Sequence, residues 1–204
     1  MKKWNNVILA AGNYPEHEIP LRILQEAETV ACCDSAAERY LAEGNVPTAI
    51  VGDGDSLSEE LKLQYASIWH HEVEQDTNDL SKAMRFLTRQ GIKQFAILGA
   101  TGKREDHTLG NISLLIDFMR QGLDVQMFTN HGVFIPCQGQ RSFQVEIGQQ
   151  VSIISFGAQG FKAQGLKYPL HDFTNWWQGT LNEATETEVT IYAQGDYLVY
   201  IVYG

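Results

Sequence analysis

Cysteine, proline and basic residues are scarce in this chain, and no long apolar run is present. Its 204 residues include 3 Cys, 5 Pro and 15 Lys+Arg against 25 Asp+Glu, a formal charge of −10. Cys32 and Cys33 are adjacent, Cys137 lies far off, and no Cys-x-x-Cys or Cys/His ligand spacing occurs, which excludes a disulfide framework or zinc ribbon. Buried, reduced thiols are the expectation. The shortage of Lys and Arg excludes a broad surface for nucleic acid or an anionic membrane, since both require phosphate neutralisation. Small anions can still be held at a local cation or metal site, where screening is weak. The apolar stretch Val7 to Ala11, after Met1-Lys2-Lys3-Trp4, is too short for a signal core or a membrane span. A cytoplasmic protein with no membrane or nucleic-acid partner is expected.

What is present is an ordinary globular composition, 44% hydrophobic and 20% charged, long enough for one large domain or two modest ones. Up to about residue 131, short apolar runs alternate with amphipathic stretches. Val7-Ile8-Leu9, Thr29 to Cys32, Ala49-Ile50-Val51, Ile68 to Val73, Phe95 to Leu98 and Val125 to Phe128 read as strands. Leu80, Ala83, Met84 and Leu87, and again Ile112, Leu115, Ile116 and Met119, recur at helical spacing and each make one apolar face. This alternation predicts an α/β domain over 1–131, a mostly parallel sheet flanked by helices, with ligands beyond the carboxyl ends of its strands. Over 132–204 helical spacing disappears. Val145, Ile147, Val151, Ile153, Val189, Ile191, Leu198, Tyr200 and Val202 alternate between glycine turns and predict an antiparallel β-sandwich, whose edge strands suit a dimer.

Three clusters fall at predicted strand ends. In Val51-Gly52-Asp53-Gly54-Asp55-Ser56, two carboxylates one residue apart repel unless a cation or a proton compensates. Hard oxygen donors of this kind suit Mg²⁺, although a solvated Asp-Gly turn is the plainer alternative. Gln75-Asp76-Thr77-Asn78-Asp79 precedes a helix that Thr77 or Asn78 can cap and whose dipole Asp79 can complement. Lys82, one turn on, either faces a phosphate or is solvated. Leu98-Gly99-Ala100-Thr101-Gly102-Lys103-Arg104-Glu105-Asp106-His107, with Asn111 beyond, opens another helix. There free N–H groups and Arg104 suit phosphate, and Asp106 either reaches a metal or caps the helix. His107 is a candidate acid or base, or a hydrogen-bonding residue at the helix start. Asp34, after the second strand, either points into the same cleft or is an N-cap. No Walker A loop or Gly-x-Gly-x-x-Gly follows a strand, which disfavours a P-loop kinase or a dinucleotide enzyme.

Read in order, Asp34-Ser35-Ala36, Gly52-Asp53-Gly54-Asp55-Ser56, Asp76-Thr77-Asn78-Asp79-Leu80-x-Lys82-Ala83, Gly99-Ala100-Thr101-Gly102-Lys103-Arg104-x-Asp106-His107-x4-Asn111, Gly165-Leu166-Lys167-Tyr168-Pro169-Leu170 and Asn182-Glu183 resemble the thiamine pyrophosphokinase family over nearly the whole chain. The resemblance implies a homodimer with thiamine bound between subunits, and transfer of pyrophosphate from ATP to thiamine, giving AMP and thiamine diphosphate. It implies Asp53, Asp55 and Asp79 as Mg²⁺ and phosphate-handling acids, with Arg104 and Asp106 beside them. Thr101, Gly102, Arg104 and Asn111 match the ATP-binding stretch, with Asp34 and His107 further candidates there. Asn182 matches the end of a Ser-Asn element at the thiamine site, where Trp177 can meet the thiazolium ring. The chain departs from the family at Gly54, Asn78, Lys103, Leu181 and Ser35-Ala36. The acids alone also fit a metal-dependent phosphohydrolase, a sensor of thiamine diphosphate or a nucleotide, or a pyrophosphokinase for another heterocyclic alcohol.

Overall fold

A computed structural model describes residues 2–55 and 57–204; Met1, and Ser56 of the Asp-Gly-Asp-Ser cluster, lie outside the described residues. The chain divides into two compact units, residues 1–114 with 122–130, and residues 115–121 with 131–204.

The first unit carries six strands, β1 (Asn6–Leu9), β2 (Thr29–Cys33), β3 (Ala49–Gly52), β4 (Trp69–His71), β5 (Gln94–Leu98) and β6 (Asp124–Phe128), all paired in parallel in the order β6-β5-β1-β2-β3-β4. Val7, Ile8 and Leu9 of β1 and Phe95 to Leu98 of β5 are buried, as strands covered on both faces require. The edge strand β4 is half exposed and shorter than the Ile68–Val73 run predicts. Helices α1 (Glu18–Glu26), α2 (Ala36–Ala42), α3 (Glu59–Gln64) and α4 (Asp79–Arg89) connect the strands, and α5 (Glu105–Arg120) follows β5. In α4 the predicted face of Leu80, Ala83, Met84 and Leu87 is buried, and Asn78 caps the helix by accepting a hydrogen bond from the Ser81 N–H.

The chain lays down β1 to β4 in one direction and then returns through α4 to place β5 on the far side of β1. The strand order therefore reverses between β1 and β5, the point at which open α/β sheets leave a crevice for ligands. The loops leaving these two strands are laced together: Ala10 donates to the Leu98 carbonyl at 2.8 Å, Gly12 to the Gly99 carbonyl at 2.6 Å and Asn13 to the Thr101 carbonyl at 2.8 Å. Gly99 has φ +64°, and a Cβ there would lie 2.6 Å from the Ala10 carbonyl oxygen.

The second unit is built on two long antiparallel strands, β9 (Gln150–Gln164) and β11 (Glu188–Val202), with β7 (Gly132–Gln138), β8 (Arg141–Gln144) and β10 (Asn182–Glu183). Strand β11 pairs with β8 over Glu188–Ile191 and with β7 over Asp196–Val202, and its register with β9 shifts between Tyr192 and Gln194 and again between Asp196 and Tyr197. Such bulges bend a strand, so one ribbon can serve different neighbours along its length. Val151, Ile153, Phe161, Val189, Ile191, Tyr197 and Val199 fill its core. The last turns of α5 belong here, where Arg120 Nε binds Asp196 at 2.7 Å and Gln138 donates to the same carboxylate at 2.9 Å. The alternation fails at Val145 and Ile147: β8 ends at Gln144, Val145 is buried outside the strand, and Ile147 is exposed in the turn closed by Gly148.

All three cysteines are reduced and buried, as expected from their spacing. Among the described residues no helix is long and apolar enough to cross a membrane.

Gly99→Ala must distort the β1–β5 loop pair or hold alanine at positive φ. The denaturation midpoint should fall by the equivalent of about 2 kcal/mol at unchanged m-value. A midpoint equal to wild type would contradict the close packing of these two loops.

Candidate active site

A cavity of about 390 Å³ opens where the ends of β1, β3 and β5 meet the starts of α4 and α5, lined by residues that include Gly12, Asp53, Asp79, Lys82, Thr101 and Arg104. Its floor is an ion cluster. Asp53 follows β3, Asp79 is the first residue of α4, and Lys82 lies one turn further along that helix. Lys82 Nζ stands 3.1 Å from Asp53 Oδ2 and 3.2 Å from Asp79 Oδ1, and the Lys82 side chain is 2% exposed. Lys82 is thus not solvated; it lines the cavity as the buried partner of both acids.

The remaining bonds fix this cluster in place. The Asp55 N–H donates to Asp53 Oδ1 at 3.1 Å, which the positive φ of Gly54 (+80°) permits, and Gln75 Nε2 donates to Asp53 Oδ2 at 3.3 Å. A Cβ on Gly54 would lie 2.8 Å from the Trp69 ring, so the glycine that departs from the family pattern is matched by a large neighbour on β4. The Asp55 N–H bond, together with Lys82 and Gln75, holds the Asp53 carboxyl below the ordinary carboxylate range against the opposing effect of burial. Burial pulls the Lys82 ammonium down, but the hydrogen bonds and negative charge of Asp53 and Asp79 outweigh it and its pKa is raised. Glu74 braces the preceding loop by accepting from the Thr77 N–H and hydroxyl, both at 2.7 Å, and from Arg85 at 2.7 Å.

The opposite wall is the loop from β5 to α5. Arg104 forms a two-pronged pair with Asp106, Nε to Oδ1 at 3.1 Å and Nη2 to Oδ2 at 2.6 Å, and both side chains are exposed. That guanidinium holds the Asp106 carboxyl below its usual range. Helix α5 begins at Glu105, so Asp106 sits inside the first turn and is not the cap. Asn111 donates to the Ala100 carbonyl at 2.9 Å and accepts from Asn78 at 3.0 Å, joining this wall to the cap of α4. Thr101 and the exposed His107 also line the cavity, and Gly102 lies within the same loop.

Asp34 does not line this cavity. It is 3% exposed, has φ +26° and packs against Gly52; the cap of α2 is Ser35, without a side-chain cap bond, so Asp34 is not an N-cap either. Among the described residues no group of three His, Cys, Asp or Glu side chains gathers in a metal-ligating arrangement. The loop after β1, Ala10-Ala11-Gly12, forms part of the lining and escaped the sequence reading. Its only signal is a run of small residues at a strand end.

Family models match both units: that for the thiamin pyrophosphokinase catalytic domain covers residues 21–127, and that for the thiamin pyrophosphokinase substrate-binding domain covers residues 132–200. The chain belongs to the thiamin pyrophosphokinase family. It is 26% identical over 147 residues to thiamine pyrophosphokinase of Bacillus subtilis, covering 68% of this chain and 69% of that protein. It is 39% identical over 82 residues to thiamine pyrophosphokinase 1 of rice, 35% of this chain and 31% of that protein, so the chain spans about a third of that relative's length. In fold it matches the crystal structure of the B. subtilis thiamine pyrophosphokinase with a TM-score of 0.78 at 22% identity, covering 97% of this chain and 98% of that one. Yeast thiamin pyrophosphokinase is matched with a TM-score of 0.79 at 16% identity, covering 100% and 88%.

The acids lining the cavity fall within the residues matched by the family's catalytic domain, while Ala10-Ala11-Gly12 precede them, and the protein is a pyrophosphotransferase of this family. Asn182 and Trp177 fall in the substrate-binding domain. Asn182 is buried and clamps Tyr168, accepting from its N–H at 3.0 Å and donating to its carbonyl at 2.8 Å. Trp177, in a 3-10 helix over Trp176–Gly179, is 72% exposed, and Leu181 stands in the left-handed region at φ 62°.

Asp53→Asn leaves the buried Lys82 with one carboxylate and should lower stability by about 2 kcal/mol at neutral pH. Because the folded Asp53 pKa is depressed, its stabilisation is complete well above the unfolded carboxyl value of about 3.9 and is lost as pH falls through the lower folded value. Unfolding free energies measured from pH 7 to pH 3 should therefore show the gap between wild type and variant narrowing below about pH 4. A gap constant across that range would contradict the ion cluster.

Proposed function

We propose that this protein transfers the β,γ-diphosphate of ATP to the hydroxyl of thiamine, giving thiamine diphosphate and AMP, and works in the cytoplasm as a Mg²⁺-dependent homodimer. One observation carries the reading: two acids joined by a buried lysine and the Arg104-bearing loop into α5 line one cavity at the switch point of the sheet.

The residues suit Mg²⁺ in its usual mode. Asp53 and Asp79 already converge on a single cation through hard oxygens, and Mg²⁺ characteristically takes one or two carboxylates and completes its shell with water and phosphate oxygens. A closed protein cage is neither needed nor present among the described residues. We assign Asp53 and Asp79 as the side chains that would hold it, with Asp55, exposed and outside the cavity lining, serving Asp53 through its N–H; when bound, the ion neutralises phosphate charge.

The protein's own groups do the rest by position and charge, as phosphoryl-type transfer demands. Arg104 exchanges Asp106 for phosphate oxygens, since its fork fits either anion. The free N–H groups opening α5 and the adjacent Thr101-Gly102 loop cradle the same phosphates. The thiamine oxygen attacks the β-phosphorus, the bond from that phosphorus to the oxygen bridging the α-phosphate breaks, and AMP departs with that oxygen. The hydroxyl proton passes to an aspartate, with Asp106, freed from Arg104 beside the cavity lining, the available carboxylate. In the substrate-binding domain, the exposed Trp177 offers a ring face to the cationic thiazolium, and Asn182 fixes the backbone of Tyr168. Exposed Trp176 and Leu181 add apolar surface suited to a second copy.

Incubation with Mg²⁺ and ATP, with and without thiamine, followed by chromatography of the nucleotides and thiamine phosphates, tests this directly. AMP and thiamine diphosphate should form in equal amounts and only with thiamine present. Arg104→Ala should lower kcat by about 100-fold or more, the cost of removing one transition-state donor. ADP or AMP released regardless of thiamine would point to a phosphohydrolase instead.

A further inference from the structure

Lys82 does more than neutralise two acids. Its ammonium stands where Asp53 and Asp79 converge, 3.1 and 3.2 Å from one oxygen of each, with its side chain 2% exposed. Its helix neighbours Leu80, Ala83 and Met84 are buried as well. Of the other cations nearby, Arg104 is engaged by Asp106 and Lys62 by Glu59 at 2.6 Å, and the exposed Lys103, which lines the cavity, is paired with neither acid among the described residues. Asp53 is further held by Asp55 N–H and Gln75. The carboxylate pair is thus assembled by a charge that belongs to the protein.

We propose that Lys82 is a positioning residue that makes divalent-metal entry depend on the nucleotide; this rests on the Mg²⁺-ATP reading above. With the ammonium in place the two carboxylates present one net negative charge rather than two, to a cavity open to water. A divalent cation arriving alone gains too little from that site to repay its reluctant dehydration. A triphosphate changes the balance. Its oxygens supply the missing ligands, and its negative charge offsets the ammonium that otherwise repels the metal. Lys82 thereby keeps the acids aligned in the empty enzyme and suppresses metal loading until ATP is bound.

The full-length protein should be titrated with MgCl₂ in the absence of nucleotide and thiamine, following both calorimetric binding and the thermal midpoint. Wild type should bind Mg²⁺ with a Kd no tighter than about 1 mM and show no rise in midpoint; removal of one unit charge at this distance should strengthen binding by about tenfold or more. Lys82→Met, which keeps the stem, should therefore melt below wild type in chelator, gain Mg²⁺ affinity by that factor, and recover its midpoint as Mg²⁺ is added. Lys82→Arg should behave as wild type. A purely structural lysine would lower the midpoint of Lys82→Met without any gain in Mg²⁺ affinity, and that result overturns the proposal. So does micromolar Mg²⁺ binding by wild type alone, which needs no variant to fold. The titration contains neither ATP nor thiamine, so its outcome is independent of whether wild type forms thiamine diphosphate.

Discussion

A lysine buried between two aspartates organises the chemical end of this protein. Lys82 projects from the first turns of α4 to the end of β3, and its ion pairs with Asp53 and Asp79 fix the spacing between a strand end and a helix start that are far apart in sequence. A lone buried ammonium would be costly, and so would two carboxylates left facing each other. Each charge is tolerable only because the others are present, so the cluster behaves as one unit. The bracing around it follows from that requirement: the turn at Gly54 brings the Asp55 N–H back to Asp53, Glu74 ties down the loop before α4, and the Asn78 cap is bonded to Asn111 of the opposite wall.

The sheet sets where such a cluster can act. Reversal of strand order between β1 and β5 opens the crevice, and lacing of the two loops through Gly12 and Gly99 holds its edge in shape. The acid wall comes from β3 and α4, the wall that carries Arg104 from the loop into α5. Arg104, paired with Asp106 at the surface, is already in the two-pronged geometry that a phosphate would require of it. The second unit rests on different physics. It is a packed antiparallel core whose exposed apolar side chains include Tyr168, Trp176, Trp177 and Leu181, and it matches the family's substrate-binding domain.

Much of this was legible in the sequence because burial leaves a periodic trace. The parallel strands β1, β2, β3, β5 and β6 and the apolar face of α4 are written as apolar runs and helical spacing, and the acids fall where strands end. Periodicity could not give the length of β4, an edge strand whose Trp69-His70-His71 is only half covered. Nor could it give the fate of Val145 and Ile147, where a turn interrupts the alternation. Lys82 was ambiguous for a deeper reason: a lysine one turn into a helix is usually solvated, and only the three-dimensional meeting of Asp53 with Asp79 makes burial affordable. The place of Asp34 after β2 suits either a cleft residue or an N-cap, but it packs against Gly52 outside the cavity lining and Ser35 takes the cap position. The order of the short motifs along the chain carried the family assignment, which the family models for both units then established.

The claim at the centre of this account is that the ion cluster and the Thr101–Arg104 loop together hold the triphosphate. A crystal structure of the protein with Mg²⁺ and an ATP analogue carrying a methylene bridge between the α- and β-phosphates tests it most directly. The account predicts the triphosphate in the cavity between these two walls, with Arg104 turned from Asp106 to phosphate, the metal on Asp53 and Asp79, and Lys82 still buried beside them. A nucleotide bound elsewhere, with the Asp53–Lys82–Asp79 cluster untouched and Arg104 still paired to Asp106, would contradict it.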